Sequence, residues 1–565
     1  MKFHWALSLL AAASSVTAES SQKISANRLI EAIHGPRRAV NPTEFRSLED
    51  RSADKSKPKP KPHPRFLNSH TKKFAVNGTG LPEVDFDVGE SYSGLLPISN
   101  KTNERDHLFF WFFPTVNEEH QKDKEITIWL NGGPGCSSLL GFLQENGPFL
   151  WQPGTIKPQP NPWSWHLLTN VVWIEQPVGV GYSQGEPSIT NEDELAAQFM
   201  GFWRNFIDTF SLQGWKVYIA AESYGGYYGP YISSNFLDAK DKEYYNLKGL
   251  IVYDGIMFDG NVQSNVPTLQ YVTRHKDEFA FDDATLAKVK SISDGCGFTD
   301  YFEKYLTFPP SGVQPIITPG LQVLPNGTIA GNETCYDFWN YVTEWATEAN
   351  PCFNVYNILD HCPFPYDPLG DEPYFDRADV KKALHAPAAI NWTQCINNPF
   401  NSTDGSDQSP PPGLKQLPHV IDATQNVILA QGAVDWILVL NGVILGVQNM
   451  TWGGKTGFQT QPQDPFYVPL YGFDPFGSGG YASNLPAGSG VQGTTHHERG
   501  LTLVATQLAG HEGPQYAAAS AFRHLEKLLG RVKSLSGTEP FTLPELRNVT
   551  QLKASSLGKG IVPIP

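Results

Sequence analysis

Charge is scarce in this chain: Lys, Arg, Asp and Glu supply only 18% of its 565 residues. Chains that stay disordered combine high charge with few aromatics, and here aromatics reach 12%, so a large folded core is expected. What charge there is leans one way. A formal net charge of −15 argues against nucleic acid or an anionic membrane as the main partner. It suits a protein that stays soluble near neutral pH and works in acid. Cysteines are also few. The six, at 136, 296, 335, 352, 362 and 395, include no Cys-x-x-Cys spacing, which favours disulfides over a metal site. Long apolar runs are missing too, so no membrane-spanning helix is expected, and the C-terminal tail is too short for a lipid-anchor signal. No cofactor motif and no internal repeat stand out.

The N-terminus carries Lys2, an apolar stretch from Trp5 to Ala13, and the small-residue site Val16-Thr-Ala18. That is the pattern of a secretory signal over residues 1–18, too short to be a membrane span. Residues 19–65 follow with Arg37-Arg38 and the run from Lys57 to Pro64, which alternates Lys and Pro. Such a run is extended rather than helical, and reads as a propeptide in preference to a solvated linker. Secretion gives weight to eight Asn-x-Ser/Thr sequons, at Asn77, Asn100, Asn326, Asn332, Asn391, Asn401, Asn449 and Asn548, as a glycosylated surface.

Beyond the linker, strands are expected at His107–Phe113, Glu125–Leu130, Val171–Glu175, Val217–Ala221, Leu250–Asp254, Val427–Gln431 and Leu501–Gln507. Glu192–Phe210 reads as a helix, with Leu195, Phe199, Phe202, Phe206 and Phe210 on one face. Strands alternating with helices imply an α/β fold around a mostly parallel sheet with helices on both faces. Residues 260–410 break the rhythm and hold five of the six cysteines. They are expected to form an insertion, a cap over the C-terminal edge of the sheet, between a first core segment (66–259) and a second (411–565).

Two motifs carry the chemistry. Val217–Gly226 is an apolar run that stops at Ser223 and restarts in glycine, the form of a strand-to-helix turn that exposes one hydroxyl. Trp129–Ser138 ends another apolar run in consecutive glycines, whose bare N–H groups suit an oxyanion. The elbow is usually Gly-x-Ser-x-Gly, and Ala221 is small enough for its first position. A serine nucleophile needs a histidine base, and the histidine needs a carboxylate; in this kind of fold they follow in the order nucleophile, acid, base. Asp435 and His511 each stand just past a predicted strand end and satisfy that order. Asp254 is the rival acid but precedes the insertion. Among rival histidines, His496 and His497 read as loop residues and His524 as part of a helix.

Glu222 precedes the nucleophile, and Glu145 follows the glycine loop. If they meet, repulsion raises one pKa, and the protonated member can bind a substrate carboxylate. Glu512, beside His511, is a candidate for attracting a basic substrate residue, or a solvated rim charge.

Together these residues resemble the secreted and vacuolar serine carboxypeptidases, which have an α/β-hydrolase fold. The resemblance spans about Phe74 to Gly530 and rests on Trp129–Ser138, Glu145–Phe149, Asn161–Trp165, Glu175–Ser183, Glu222–Gly226 and Ala509–His511. It implies Ser223 as nucleophile, His511 as base and Asp435 as its orienting acid. It further implies an oxyanion hole from the N–H groups of Gly133 and Tyr224, and a substrate-carboxylate site of Asn131, Gly132, Glu145 and Glu222. A Cys136–Cys395 disulfide is implied as well; nested pairs Cys296–Cys362 and Cys335–Cys352 are expected for the rest. The chain departs from many relatives in three places. Ala433-Val434 follow Gly432, Leu438 replaces a cysteine, and Leu250–Asp254 ends in Tyr-Asp-Gly rather than Gly-Asn. The reading is a secreted, acid-active carboxypeptidase acting on peptide and protein C-termini without metal or cofactor, as a monomer or homodimer, with a vacuolar location as the alternative. Its rivals are an esterase or acyltransferase of the same fold and an inactive binding protein.

Overall fold

A computed structural model describes residues 64–315, 317–325, 329–360, 362, 366–403, 405–469, 488–544 and 558–564. The proposed signal, nearly all of the linker, and the sequons Asn326 and Asn548 lie outside these residues. The described strands that share one large sheet are β1 (Ala75–Val76), β2 (Ser91–Pro97), β3 (His107–Phe113), β4 (Glu125–Leu130), β5 (Asn170–Glu175), β6 (Lys216–Glu222), β7 (Leu247–Tyr253), β8 (Val427–Gly432), β9 (Asp464–Val468), β10 (Gly490–Glu498) and β11 (Leu501–Thr506). Their order is β1-β2-β3-β5-β4-β6-β7-β8-β11-β10-β9. The middle, from β5 to β11, is parallel, and antiparallel strands flank it on both sides.

Parallel strands are buried on both faces, so they read as continuous apolar runs rather than alternating ones. The alternation is still visible in where the side chains go. Ile126, Ile128 and Leu130 of β4 enter one core with Val217, Ile219 and Ala221 of β6, while Trp129, Tyr218 and Ala220 enter the other. The first core is covered by α1 (Glu192–Phe210), α2 (Gly225–Asp238) and α5 (Gln416–Thr424), the second by α6 (Ala518–Leu528). All five apolar positions expected on the inner face of α1 are buried. The Asn191 side chain caps α1 by accepting the Glu194 N–H.

Every strand expected from sequence lies within a strand of the sheet, apart from one- or two-residue differences at the ends. The expected set lacks β1, β2, β9 and β10. His496 and His497, expected in a loop, lie in β10, whose Gly and Thr content hides an edge-side strand held by its neighbours β9 and β11. Arg65, assigned to the linker, belongs to the folded body: its guanidinium donates to Thr115 O and Asn170 Oδ1, and its N–H to Glu90.

Within residues 260–410 the described helices include α3 (Asp283–Gly295) and α4 (Phe338–Ala349). The nested disulfides expected here are corrected: Cys296 pairs with Cys335, and Cys352 with Cys362. Cys296 caps the C-terminus of α3, against which the short helix Glu333–Tyr336 carrying Cys335 packs, so those two sulfurs meet. Cys352 and Cys362 then close a ten-residue loop. Cys136 pairs with Cys395, tying the glycine loop to the end of the insertion. Of the described sequons, Asn77, Asn100, Asn332, Asn391 and Asn401 are exposed, and Asn449 is half-buried.

Candidate active site

Ser223 stands where β6 turns into α2, with φ of +61°, a left-handed conformation that L side chains rarely adopt. The turn is tied on both sides. The Ser223 N–H donates to Tyr253 O at the end of β7, and the Ser223 carbonyl accepts from Gly226 and Ile256 N–H. The glycines are required by close approach rather than by φ. A Cβ on Gly226 would lie 2.2 Å from Ile256 O, and one on Gly225 only 2.8 Å from Ala221 Cβ. Alanine at 221 is thus accommodated because its partner across the turn is glycine.

The glycine loop after β4 lies directly on this elbow. A Cβ on Gly132 would fall 2.3 Å from Tyr224 N and 2.6 Å from Glu222 O, so no other residue fits there without displacing the turn. Gly133 has φ of +110°. Gly135 N–H donates to the Tyr228 hydroxyl of α2, and the Cys136–Cys395 disulfide holds the far end.

Asp435 follows β8 and His511 follows β11, adjacent parallel strands whose exits are stitched together by Ala433 N–H to Thr506 O and Val434 N–H to Ala509 O. His511 Nδ1 lies 2.9 Å from Asp435 Oδ2. The other oxygen, Oδ1, accepts from the N–H groups of Ile437 and Leu438, which fixes the carboxylate's orientation. Both side chains are buried. Burial alone would lower the His511 pKa, but the charge and hydrogen bond of Asp435 outweigh it and raise it. The insertion reaches this point too: His511 N–H donates to Tyr356 O, and the Tyr356 ring lies 5.3 Å from the imidazole.

Rival residues are engaged elsewhere. Asp254 Oδ1 accepts from Gly432 N–H and Gln431 Nε2, so it braces the end of β8. His524 is buried in α6, and burial pushes its pKa down to about 3, which keeps it neutral. His496 Nε2 meets Glu498, and His497 Nδ1 meets Thr502 Oγ1.

Glu145 and Glu222 do meet. Asn131 Nδ2 donates to Glu145 Oε1 at 2.9 Å and to Glu222 Oε1 at 3.0 Å, while Asn131 Oδ1 accepts from Trp129 Nε1 and Gly141 N–H. Asparagine is thereby locked with its amide facing the two acids. Burial, then the charge of Glu145 and direct contact with it, raises the Glu222 pKa well above the carboxylate range; burial raises that of Glu145 as well. Two buried carboxyls in contact resist the loss of the last proton they share, because it leaves two like charges side by side.

A cavity of about 340 Å³ is walled by Leu140, Gln144, Tyr356, Asp360, Glu512 and Tyr516 among others. Its walls include chain neighbours of the site, Gln144 before Glu145 and Glu512 after His511, and Tyr356, whose ring lies 5.3 Å from the His511 imidazole. Asp360 Oδ2 accepts from the Tyr516 hydroxyl and Asn354 Nδ2, and no Lys or Arg is among the cavity's lining residues. Burial pushes the Glu512 pKa up to about 7, against the pull of His511. Sequence reading missed Tyr356 and Asp360, because residues of an irregular insertion carry no periodic signal that says which way they face, and Tyr516, which lies in a helix of only four residues, Gly513–Tyr516. Among the described residues no group of three or more His, Cys, Asp or Glu is placed to hold a metal, and no helix is long and apolar enough to cross a membrane.

A family model described as serine carboxypeptidase matches residues 82–531. Serine-type carboxypeptidase F of Aspergillus niger is 43% identical over 501 residues, covering 83% of this chain and 89% of its own. A carboxypeptidase Y homolog of Arthroderma benhamiae is 41% identical over 476 residues, covering 84% and 90%. Among solved structures, Kex1(Δ)p, a prohormone-processing carboxypeptidase from Saccharomyces cerevisiae, superposes with a TM-score of 0.63 at 22% identity over 83% of this chain and 97% of its own, a likeness that bears on the α/β-hydrolase fold alone. From the extent of these matches, the chain belongs to the serine carboxypeptidase family and is an enzyme of that class.

Proposed function

We propose that this enzyme is a secreted carboxypeptidase that removes C-terminal amino acids at acid pH through Ser223, His511 and Asp435. The carrying observation is the pair Glu145–Glu222, bridged by Asn131 immediately beside the nucleophile. Holding one proton, the pair donates to a substrate's terminal carboxylate instead of repelling it, and Gly132 N–H, next along the chain from Asn131, is assigned to the same carboxylate. With the terminus so held, Ser223 Oγ attacks the last peptide carbonyl while His511 Nε2 takes its proton. The oxyanion is received by the N–H groups of Gly133 and Tyr224. His511 then protonates the departing amine, and water repeats the sequence on the acyl-enzyme. Residues 1–18, three disulfides and the exposed sequons support secretion.

The pair sets the pH dependence. Its raised pKa values mean that the shared proton is present in acid and lost as pH rises, leaving two carboxylates to face a third. For a blocked dipeptide with a free C-terminus, KM is therefore expected to climb about tenfold per pH unit above that loss. The matching amide, which has no carboxylate to hold, should react poorly at every pH and lack this rise. Steady-state kinetics on the two peptides checks it, and equal rates on both would sink the exopeptidase reading.

Glu512 and Asp360 direct the choice of leaving residue. We assign the last residue's side chain to the cavity they line, whose walls include the chain neighbours of Glu145 and His511. A C-terminal Lys or Arg would meet two acids and no competing cation, its own charge opposing the burial that makes Glu512 hold its proton. We expect kcat/KM for C-terminal Arg to exceed that for Gln, and Glu512→Gln to reduce the Arg rate about tenfold while leaving a C-terminal Leu peptide within about twofold. Parallel losses on Arg and Leu peptides would assign Glu512 to the reaction itself and not to selection.

A further inference from the structure

A second pair of carboxyls meets beside the nucleophile, and the reaction described above makes no use of it. Glu192 is the first residue of α1 and is fully buried, yet neither carboxyl oxygen accepts a hydrogen bond from an N–H or O–H donor among the described residues. It meets the carboxyl of Asp407 instead. Asp407 comes from the end of the insertion, in residues 405–410, which lie across the start of α1. Its Oδ2 accepts the Tyr224 hydroxyl at 2.7 Å and its Oδ1 accepts Ser409 N–H at 2.9 Å. Ser409 Oγ in turn accepts Glu192 N–H at 2.6 Å, and Gln408 N–H donates to Thr190 O at 3.0 Å. Tyr231 of α2 holds the end of the segment through Pro410 O. Apart from the internal Ser409–Asp407 bond, these bonds join the segment to α1, to Thr190 just before it, or to the turn and helix that carry on from the nucleophile.

We propose that Glu192 and Asp407 are positioning residues for the reaction: they latch residues 405–410 onto the nucleophile turn and hold Tyr224 in place only while the two carboxyls keep a proton between them. The proposal rests on the reading of Tyr224 N–H as an oxyanion donor. Tyr224 is held at both ends, by its backbone in the turn and by its hydroxyl on Asp407, with its ring stacked on Tyr227 at 4.9 Å. The groups that face the pair are Asp193 on α1, and Tyr224, Tyr227, Tyr228 and Tyr231 at and after the start of α2; none is a cation. Burial, then the charges of Asp407 and Asp193, drives the Glu192 carboxyl to keep its proton, while Asp407 Oδ2 accepts the Tyr224 hydroxyl. When that proton leaves, two carboxylates face each other with no cation among the described groups around them. Repulsion then drives the segment off, and Tyr224 loses its outer anchor.

The test separates this latch from the carboxylate site by using an ester substrate with no terminal carboxylate. Wild type, Glu192→Gln, Asp407→Asn and Asp407→Ala are compared from about pH 5 to about pH 8, and amide hydrogen exchange at Gln408 is followed without substrate. In wild type, kcat on the ester should fall toward the alkaline end while Gln408 loses protection. In Glu192→Gln and Asp407→Asn, which keep the contact without the second charge, both changes should move up by about one pH unit or more, with acid-side kcat within about twofold. Asp407→Ala should lower kcat about tenfold even in acid, because Tyr224 is unanchored there. Identical Gln408 protection at both pH extremes would overturn the latch whatever the enzyme hydrolyses. Altered protection with an unmoved kcat profile would overturn the positioning role. Because Asp407 is half-exposed, its Asn variant serves if Glu192→Gln fails to fold.

Discussion

Ser223→Ala is expected to lower kcat by about 10⁶-fold while leaving the fold and substrate binding in place. The loss is large because the proposed serine, histidine and aspartate act as a unit: with no Oγ, His511 has no proton to take and no acyl-enzyme forms. The fold is expected to survive for a local reason. The strain at Ser223 lies in its φ of +61°, which alanine bears equally, and the turn is held by main-chain bonds to Tyr253, Gly226 and Ile256 that the substitution leaves intact. The glycines that admit the turn are also untouched. Thermal melting should therefore match wild type, and equilibrium binding of a free-acid peptide should persist through Asn131, Glu145 and Glu222. Substantial residual turnover by the purified variant would mean that the nucleophile lies elsewhere.

Asp435→Asn should cost about 10⁴-fold in kcat, more than a lost hydrogen bond alone would explain. The carboxylate has its two oxygens assigned: Oδ1 takes Ile437 and Leu438 N–H, and Oδ2 takes the proton on His511 Nδ1. An asparagine keeps its oxygen on the two main-chain donors and so turns its NH₂ toward His511. Nδ1 must then be unprotonated, which places the imidazole's proton on Nε2, the atom that has to accept from Ser223. The same change removes the charge that raises the His511 pKa, so imidazole NMR should show a lower titration point in the variant. A variant with near-normal kcat, or an unmoved histidine titration, would remove Asp435 from the proposed mechanism.

Much of the fold was legible because its middle strands are buried on both faces. Burial of that kind writes itself into sequence as short apolar runs such as Glu125–Leu130 and Val427–Gln431, and each is found within a strand. The flanking strands were harder. Gly490–Glu498 is rich in Gly, Thr and His, and it is a strand because β9 and β11 supply partners, not because its residues prefer one. Disulfide pairing failed for a related reason. The partner of Cys296 is decided by which helix packs on α3, a contact between distant residues that spacing does not encode.

The chemistry divides along the same line. The sequence alone determined the nucleophile turn, the glycine loop and the acid and base candidates, because each stands at a strand end flagged by glycine or by chain order. It also named Glu145 and Glu222 as a potential pair. Only the tertiary structure decided that Asn131 bridges them, that Asp254 braces Gly432 and leaves His511 to Asp435, and that Asp360 faces Glu512's cavity. It alone brought Asp407 to Tyr224 across 183 residues. Strand ends are local features that main-chain sterics impose on the residues concerned. Which side chains meet above them is set by how the insertion closes over the sheet, and that is a property of packing between segments far apart in the chain.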